Sequence, residues 1–449
     1  MPQIASFKGL RFNPDRIPSL ADVLAPPYDI VDKAREVALL ARDAHNAIRL
    51  TLGKTPPQGR PAADYARAAG HLRQWRDDGT LLQDEAHSIY VVEQTFKLRG
   101  RERCRVAFMS ALLLEEFGSG TVRPHERTMD GPRADRLSLY EACHANLSPI
   151  LTIYADPDGV ADALVGKMRQ GVPVSAFEFE GIEHRVWHIV DEAAMARLGA
   201  AVREQPLFIA DGHHRYESAL RYRQRHRSGT GEPGSAPEDY VLTLCISLAS
   251  PGLEVLPTHR GLKDGDELRE EDLLRPLTDS FAARRLTVDD PRGAEALFAA
   301  SCPTASAIGC YLPGGRLYVL EPKDANALAA LRPRFPDDAD VWCHTPVSLL
   351  HYVILPDACA IQPGSSDEAS QVEFRRDAAV LCEGVETGQF RAAFLLPPTD
   401  PRRVERVAAL GQRMPMKSTY FFPKIASGLA FYVHEGGTNS PRLAARAAP

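Results

Sequence analysis

The stretch ProLeuPheIleAlaAspGlyHisHisArgTyrGlu at 206–217 decides how this chain is read. Residues 206–210 are a short apolar run consistent with a buried strand, and from Tyr216 to Arg225 the spacing is helical. Asp211 and Gly212 turn the chain between them. A strand, a glycine turn and a helix start leave free backbone N–H groups and the positive end of the helix dipole at one spot, which suits a phosphate. His213, His214 and Arg215 add side-chain donors there. The plain structural alternative has Asp211 capping the helix, Gly212 satisfying the turn and the histidines lying on the surface. His213 and Glu217, one helical turn apart with Asp211 near, also make a metal site conceivable, although no His-Glu-x-x-His pattern supports zinc.

Working outward, a strand-like segment Phe7 to Phe12 precedes a Pro-rich loop, AlaProProTyrAspIleVal at 25–31. Helical periodicity follows at 32–44 and 62–78, the second ending at Asp78-Gly79, a C-cap pattern. Two β-rich runs, His87–Phe96 and Cys104–Leu114, flank a charged turn and read as a hairpin. Strands are expected at 149–154 and 240–248, with a loop at 227–238. Beyond residue 263, helices are expected at 266–282, 293–300, 324–333, 346–354 and 401–413, and strands at 306–320, 391–396 and 429–433. Such alternation predicts a mixed α/β fold. The expected organisation is an N-terminal α/β segment at 1–99, a core at 100–262 and a C-terminal α/β domain at 263–449.

With 449 residues the chain has room for two or three domains of ~150 residues. Its 53 basic and 59 acidic residues leave a net charge of −6, which argues against nucleic acid or anionic lipid as the main partner. No apolar run approaches the ~18–20 residues that span a bilayer. The N-terminus shows no secretory signal, so a cytoplasmic location is expected. Eight cysteines lie scattered without a Cys-x-x-Cys pair and read as small core residues. Only 9 of the 53 basic residues are lysine, so clustered lysines carry information. Nothing in the sequence fixes the oligomeric state.

A second motif, ArgProHisGluArgThr at 123–128 followed by Arg133, Asp135 and Arg136, sets a carboxylate among arginines. That composition suits a general base beside phosphates, with His125 and Arg127 flanking Glu126, or equally a salt-bridged surface loop. A third, MetProMetLysSerThrTyrPhePheProLys at 414–424, holds two of the nine lysines. It mimics a phosphate loop from Gly411, but Met416 stands where the second glycine is required. Lys417, Ser418, Thr419 and Lys424 are candidate substrate or phosphate contacts, or exposed lysines beside a core strand. Tyr28 and Asp29 in the Pro-rich loop, and His259 and Arg260 after a strand, are further candidates.

Through AlaProProTyrAspIleVal, ProHisGluArgThr, AspGlyHisHisArgTyrGlu, ProThrHisArg at 257–260 and LysSerThrTyrPhePheProLys, nearly the whole chain resembles the domain-of-unknown-function 1015 family. The inner pair, ProHisGlu and AspGlyHisHisArg, resembles the ParB/sulfiredoxin superfamily and in particular its free-serine kinases. That resemblance implies a ParB/sulfiredoxin-like nucleotide-binding core and a magnesium-dependent kinase that uses ATP or ADP to phosphorylate a small hydroxyl compound, free L-serine first. It would make Glu126 the general base and Asp211 to Arg215 the nucleotide-phosphate site, with Asp211 on Mg2+. Two other functions stay open: a nucleotide-gated binding protein of the ParB kind, and a metal-dependent phosphohydrolase using His213 and His214.

Overall fold

Two hairpins show how local chemistry sets strand register. Arg99 and Gly100 both adopt positive φ, 51° and 75°, so strands β2 (Ile89–Leu98) and β3 (Arg101–Leu113) are joined by a two-residue turn whose twist matches theirs. Gly314 and Gly315, at 76° and 67°, complete the three-residue turn at 313–315 between Ile308–Leu312 and Arg316–Pro322. The computed structural model describes residues 1–51, 62–118, 120–126, 130–227, 232–263, 268–302, 304–335, 345–434 and 440–443. They fold as two compact units, one of 1–124, 128–254 and 423–449, the other of 125–127 and 255–422.

The first unit is built on a ten-stranded mixed sheet. Its other strands are β1 (Ile4–Ser6), β4 (Val122–Pro124), β5 (Ile150–Tyr154), β6 (Ser175–Phe179), β7 (Ile182–Ile189), β8 (Leu207–Asp211), β9 (Tyr240–Ser247) and the short Arg442–Leu443. The order is β4-β8-β5-β9-β3-β2-β7-β6, with β1 beside the far half of β3. β4 runs parallel to β8 and β5 parallel to β9, which requires crossovers, and helices Asp130–Cys143 and Glu192–Arg203 lie in those connections. One core gathers Val91, Phe108, Ile150, Ile209 and Val241 with Leu164, Leu198 and Tyr216 from helices. A second collects Leu10, Phe12, Leu72, Trp75 and Phe431. The second unit has a six-stranded antiparallel sheet ordered Phe281–Thr287, Arg316–Pro322, Ile308–Leu312, Ala392–Leu395, His259–Leu262 and Val372–Arg375. Phe298, Tyr311, Leu381 and Phe390 are in its core.

The mixed α/β class agrees with the sequence, as do helices Lys33–Arg42 and Ala62–Asp77. Other expectations need correction. The helix expected over 266–282 shortens to Glu270–Leu274 and a single 3-10 turn, because Pro276 lacks an N–H and Phe281–Thr287 gains a strand partner instead. The strand expected over 306–320 is a hairpin, split by its two glycines. His259 and Arg260 follow the short strand Glu254–Leu256, as expected, and also open the next strand, His259–Leu262. The segment boundary expected at 99/100 separates no units, since the β2–β3 ladder crosses it, and residues 423–449 return to the first unit. Part of the expected 227–238 loop lies outside the described residues. Among the described residues no helix is long and apolar enough to cross a membrane.

One polar row crosses the large sheet in register, Arg105, Gln94 and His184, and ends on Phe177. Gln94 Oε1 accepts from Arg105 Nε at 2.9 Å, so its amide nitrogen must donate to His184 Nε2, also at 2.9 Å. His184 Nδ1–H then donates to the Ile182 carbonyl at 2.9 Å, which fixes a neutral tautomer. Burial pushes His184 down to about 4 and His434, beside His144 and His226, down to about 3. Both groups bind a proton more readily in the unfolded chain, with an ordinary value of 6.5, so stability falls as pH drops below that value. Each adds a slope of about 1.4 kcal/mol per pH unit in that window. Urea unfolding at several pH values should show the slope, and the His184→Gln, His434→Gln double variant should lose much of it; an unchanged slope would refute the assignment.

Candidate functional site

In the first unit, β8 ends at Asp211 and helix His213–His226 begins two residues later. Gly212 between them takes φ 88°, ψ 28°. A side chain there would suffer twice, from the left-handed backbone and from Arg215, whose Nε would lie 2.9 Å from a Cβ. Asp211 does not cap the helix. Its Oδ2 accepts from Arg215 Nη2 at 2.6 Å, and its Oδ1 takes a short contact from Lys424 Nζ. Arg215 is buried and also donates to the Pro149 carbonyl. Two cations on one carboxylate leave a net positive charge, and the first-turn N–H groups of the helix add their share of the dipole. His213 is buried and His214 half-buried on that first turn, and Glu217 pairs with Arg133 at 2.9 Å.

Tyr28 packs beneath the Arg136 guanidinium, 3.9 Å from its ring centroid. Arg136 pairs with its neighbour Asp135, which also accepts from Tyr65 at 2.7 Å. Burial pushes the Tyr28 phenol up, while the charges of Arg136 and Arg215 pull it back. Asp29 is exposed. Thus Arg133 and Arg136, the arginines that follow the second motif, are engaged with Glu217 and Asp135.

In the second unit, other sequence candidates gather. Glu126 bridges to Met414 in a parallel β-bridge, and its Oε1 accepts from the Lys417 N–H at 3.0 Å. His125 is fully buried, its Nε2 3.0 Å from Thr419 Oγ1 and its carbonyl bonded to the Met414 N–H. Lys417 is exposed and takes φ 55°, an uncommon backbone state for a lysine. The Ser418 hydroxyl turns inward to the Pro415 carbonyl at 2.5 Å. Arg260 is buried and donates to the Met416 and Lys417 carbonyls at 3.2 and 3.1 Å. His259 accepts from the Leu396 N–H at 3.1 Å, which makes it part of the sheet's support. Arg127 lies outside the described residues.

Arg215 and Lys424 each hold one oxygen of Asp211, so a magnesium ion there would share the carboxylate with two cations. Among the described residues no group of three or more His, Cys, Asp or Glu side chains is arranged to hold a metal ion. The sequence reading missed His351 and Glu368, which contact Arg260 directly or through one another. No local signal marks them, because they stand about a hundred residues away in the chain.

The Gly212→Ala protein tests whether this backbone state is required. It should unfold with a loss of about 1–2 kcal/mol, read from urea midpoints. An unaltered midpoint would show that neither the left-handed turn nor the Arg215 approach matters.

Residues 4–345 match the profile of the family described as "Protein of unknown function (DUF1015)". A search of the curated proteins gives no match. Among solved structures the chain is similar to a conserved hypothetical protein from Pyrococcus furiosus, with 11% identity and a TM-score of 0.33, over 69% of this chain and 91% of that one. It is similar to a free serine kinase variant in complex with ADP, with 12% identity and a TM-score of 0.33, over 69% and 89% of the two chains. SbnI with a C-terminal truncation, from Staphylococcus aureus, is similar at 11% identity and a TM-score of 0.34, over 68% and 82%. On the family match, which spans most of its length, this protein belongs to the DUF1015 family.

Proposed function

We propose that this protein is a nucleotide-dependent phosphotransferase acting in the cytoplasm on the hydroxyl of a small metabolite. The observation that carries the reading is the convergence of Arg215 and Lys424 on Asp211 at the start of a 14-residue helix. A site with a net positive charge, largely withdrawn from water, favours the phosphates of ATP or ADP. Phosphoryl transfer asks a protein mainly for such charge neutralisation and for positioning. Magnesium belongs in this reading to the nucleotide, as part of the substrate.

Glu126 is assigned the general base. It takes the proton of the acceptor hydroxyl, whose oxygen attacks the terminal phosphorus; the bond from phosphorus to the bridging oxygen breaks, and the shortened nucleotide leaves with that electron pair. The Lys417 N–H orients the carboxylate for this task, and buried His125 positions Thr419 rather than touching substrate. Free L-serine, giving O-phosphoserine, is the first acceptor to test, a choice that rests on the ProHisGlu and AspGlyHisHisArg motifs. Gated binding without transfer is the reading that takes over should nucleotide bind and no acceptor react.

A phosphorus NMR time course with magnesium, ATP or ADP and a panel of hydroxy amino acids reads the transfer. The Glu126→Ala protein should keep its nucleotide affinity and lose about a hundredfold or more in turnover. Lys424→Met and Arg215→Ala should each weaken nucleotide binding about tenfold, measured by calorimetry. Equal loss of nucleotide binding in all three would sink the division of roles.

A further inference from the structure

We infer that Glu368, His351 and Arg260 form a buried positioning triad that sets the orientation and proton affinity of the Glu126 carboxylate. The inference deepens the reading of Glu126 as base and rests on it for its catalytic meaning. Arg260 is 1% exposed, on a strand of the second unit's sheet that is paired on both sides. The next residue, Gly261, meets Leu381 and Phe390 on the opposite face, so the guanidinium points away from that core. Phe374 lies beneath it, 4.9 Å from ring centroid to guanidinium carbon.

A guanidinium has only donors, so each partner must accept. Arg260 Nε donates to His351 Nε2 at 3.2 Å, which requires that nitrogen to be unprotonated. His351 Nδ1 therefore carries the proton and donates it to Glu368 Oε1 in a short contact. Glu368 Oε2 accepts the Gly364 N–H at 2.5 Å. Burial alone would push Glu368 up, yet the donors from His351 and Gly364 and the charge of Arg260 hold it below the ordinary carboxylate range. Burial pushes His351 down, in keeping with a neutral ring. The result is an anion and a cation joined through one imidazole, with the guanidinium held in a single orientation.

That orientation is used on the other side. Arg260 Nη1 bonds the Thr258 carbonyl, and Nη2 spans the carbonyls of Met416 and Lys417. Fixing two consecutive carbonyls holds Lys417 in its left-handed state, and its N–H then points at Glu126 Oε1. Among the described residues, Lys417, Arg413, whose guanidinium reaches the Glu126 carbonyl at 3.3 Å, His125 and Arg260 are charged or titratable groups near this carboxylate. Of these, Arg260 both carries charge toward Glu126 and fixes the loop that donates to it.

The test reads Glu126 directly in the full chain, by carbon NMR titration of glutamate side-chain carboxyls, with its signal identified by its loss in Glu126→Gln. Arg260→Gln should raise the Glu126 midpoint by about one pH unit, because both the charge and the ordered N–H are lost. Glu368→Gln should move it the opposite way, since Arg260 then keeps its charge without its counter-carboxylate. Arg260→Lys should recover part of the first shift by restoring charge without the two-carbonyl grip. A midpoint unmoved in Arg260→Gln and Glu368→Gln, or moved in one direction by both, overturns the proposal. Should Arg260→Gln fail to fold by circular dichroism, Glu368→Gln decides alone, and an unmoved or raised midpoint refutes the triad. No substrate is present in these titrations, so they stand apart from the kinase assay. If that assay reports turnover, Arg260→Gln should lower kcat and leave the nucleotide KM unchanged.

Discussion

A guanidinium withdrawn from water must find acceptors for five N–H bonds, and four buried arginines impose that demand on the described residues of this protein. The demand is answered in three ways. Arg136 and Arg215 each face a carboxylate from their own stretch of chain, Asp135 and Asp211. Arg105 has no carboxylate and leans on the Gln94 amide, and burial brings it down to about 9. Arg260 relies on an imidazole and three main-chain carbonyls. Removing a buried acceptor costs more than an average hydrogen bond is worth, so these groups hold their surroundings to one arrangement.

The two functional clusters inherit that order. In the first unit, Arg215 ties the start of its helix both to Asp211 and to the Pro149 carbonyl, just before β5. Lys424, arriving from the far end of the chain, completes the charge around Asp211. In the second unit the loop at 414–419 carries no regular structure of its own. Its backbone is held from one side by Arg260 and from the other by Glu126, with the Ser418 hydroxyl and carbonyl engaged by Pro415 and Thr399. A lysine at positive φ persists there because its surroundings over-determine it.

Much of the local architecture was readable in advance. The strand, glycine and helix at 206–226 announce themselves through an apolar run, a turn residue and a change of period. The hairpin around Arg99-Gly100 does so through two alternating runs and a glycine. Where the reading failed, a competing local rule had been overlooked: Pro276 ends a helix that hydrophobic spacing alone would continue, and Gly314-Gly315 folds back a strand that β-propensity alone would extend. Candidate residues were visible as dense polar motifs, but their partners were not. His351 and Glu368 sit in stretches with no motif, and nothing near Asp211 in the chain points to Lys424 as its partner.

The amino-acid sequence by itself determined the α/β class, the helix start at Gly212 and the residue types available for anion chemistry. These depend on periodicity and turn chemistry within a few neighbouring residues, which any window of the chain exposes. Only the tertiary structure decided that Lys424 closes on Asp211 across 213 positions, and that Arg260 reaches both His351 and the Lys417 carbonyl. Such meetings follow from strand register and from where the chain returns. A buried charge accepts whichever partner those long-range contacts deliver, and no local pattern encodes which one it will be.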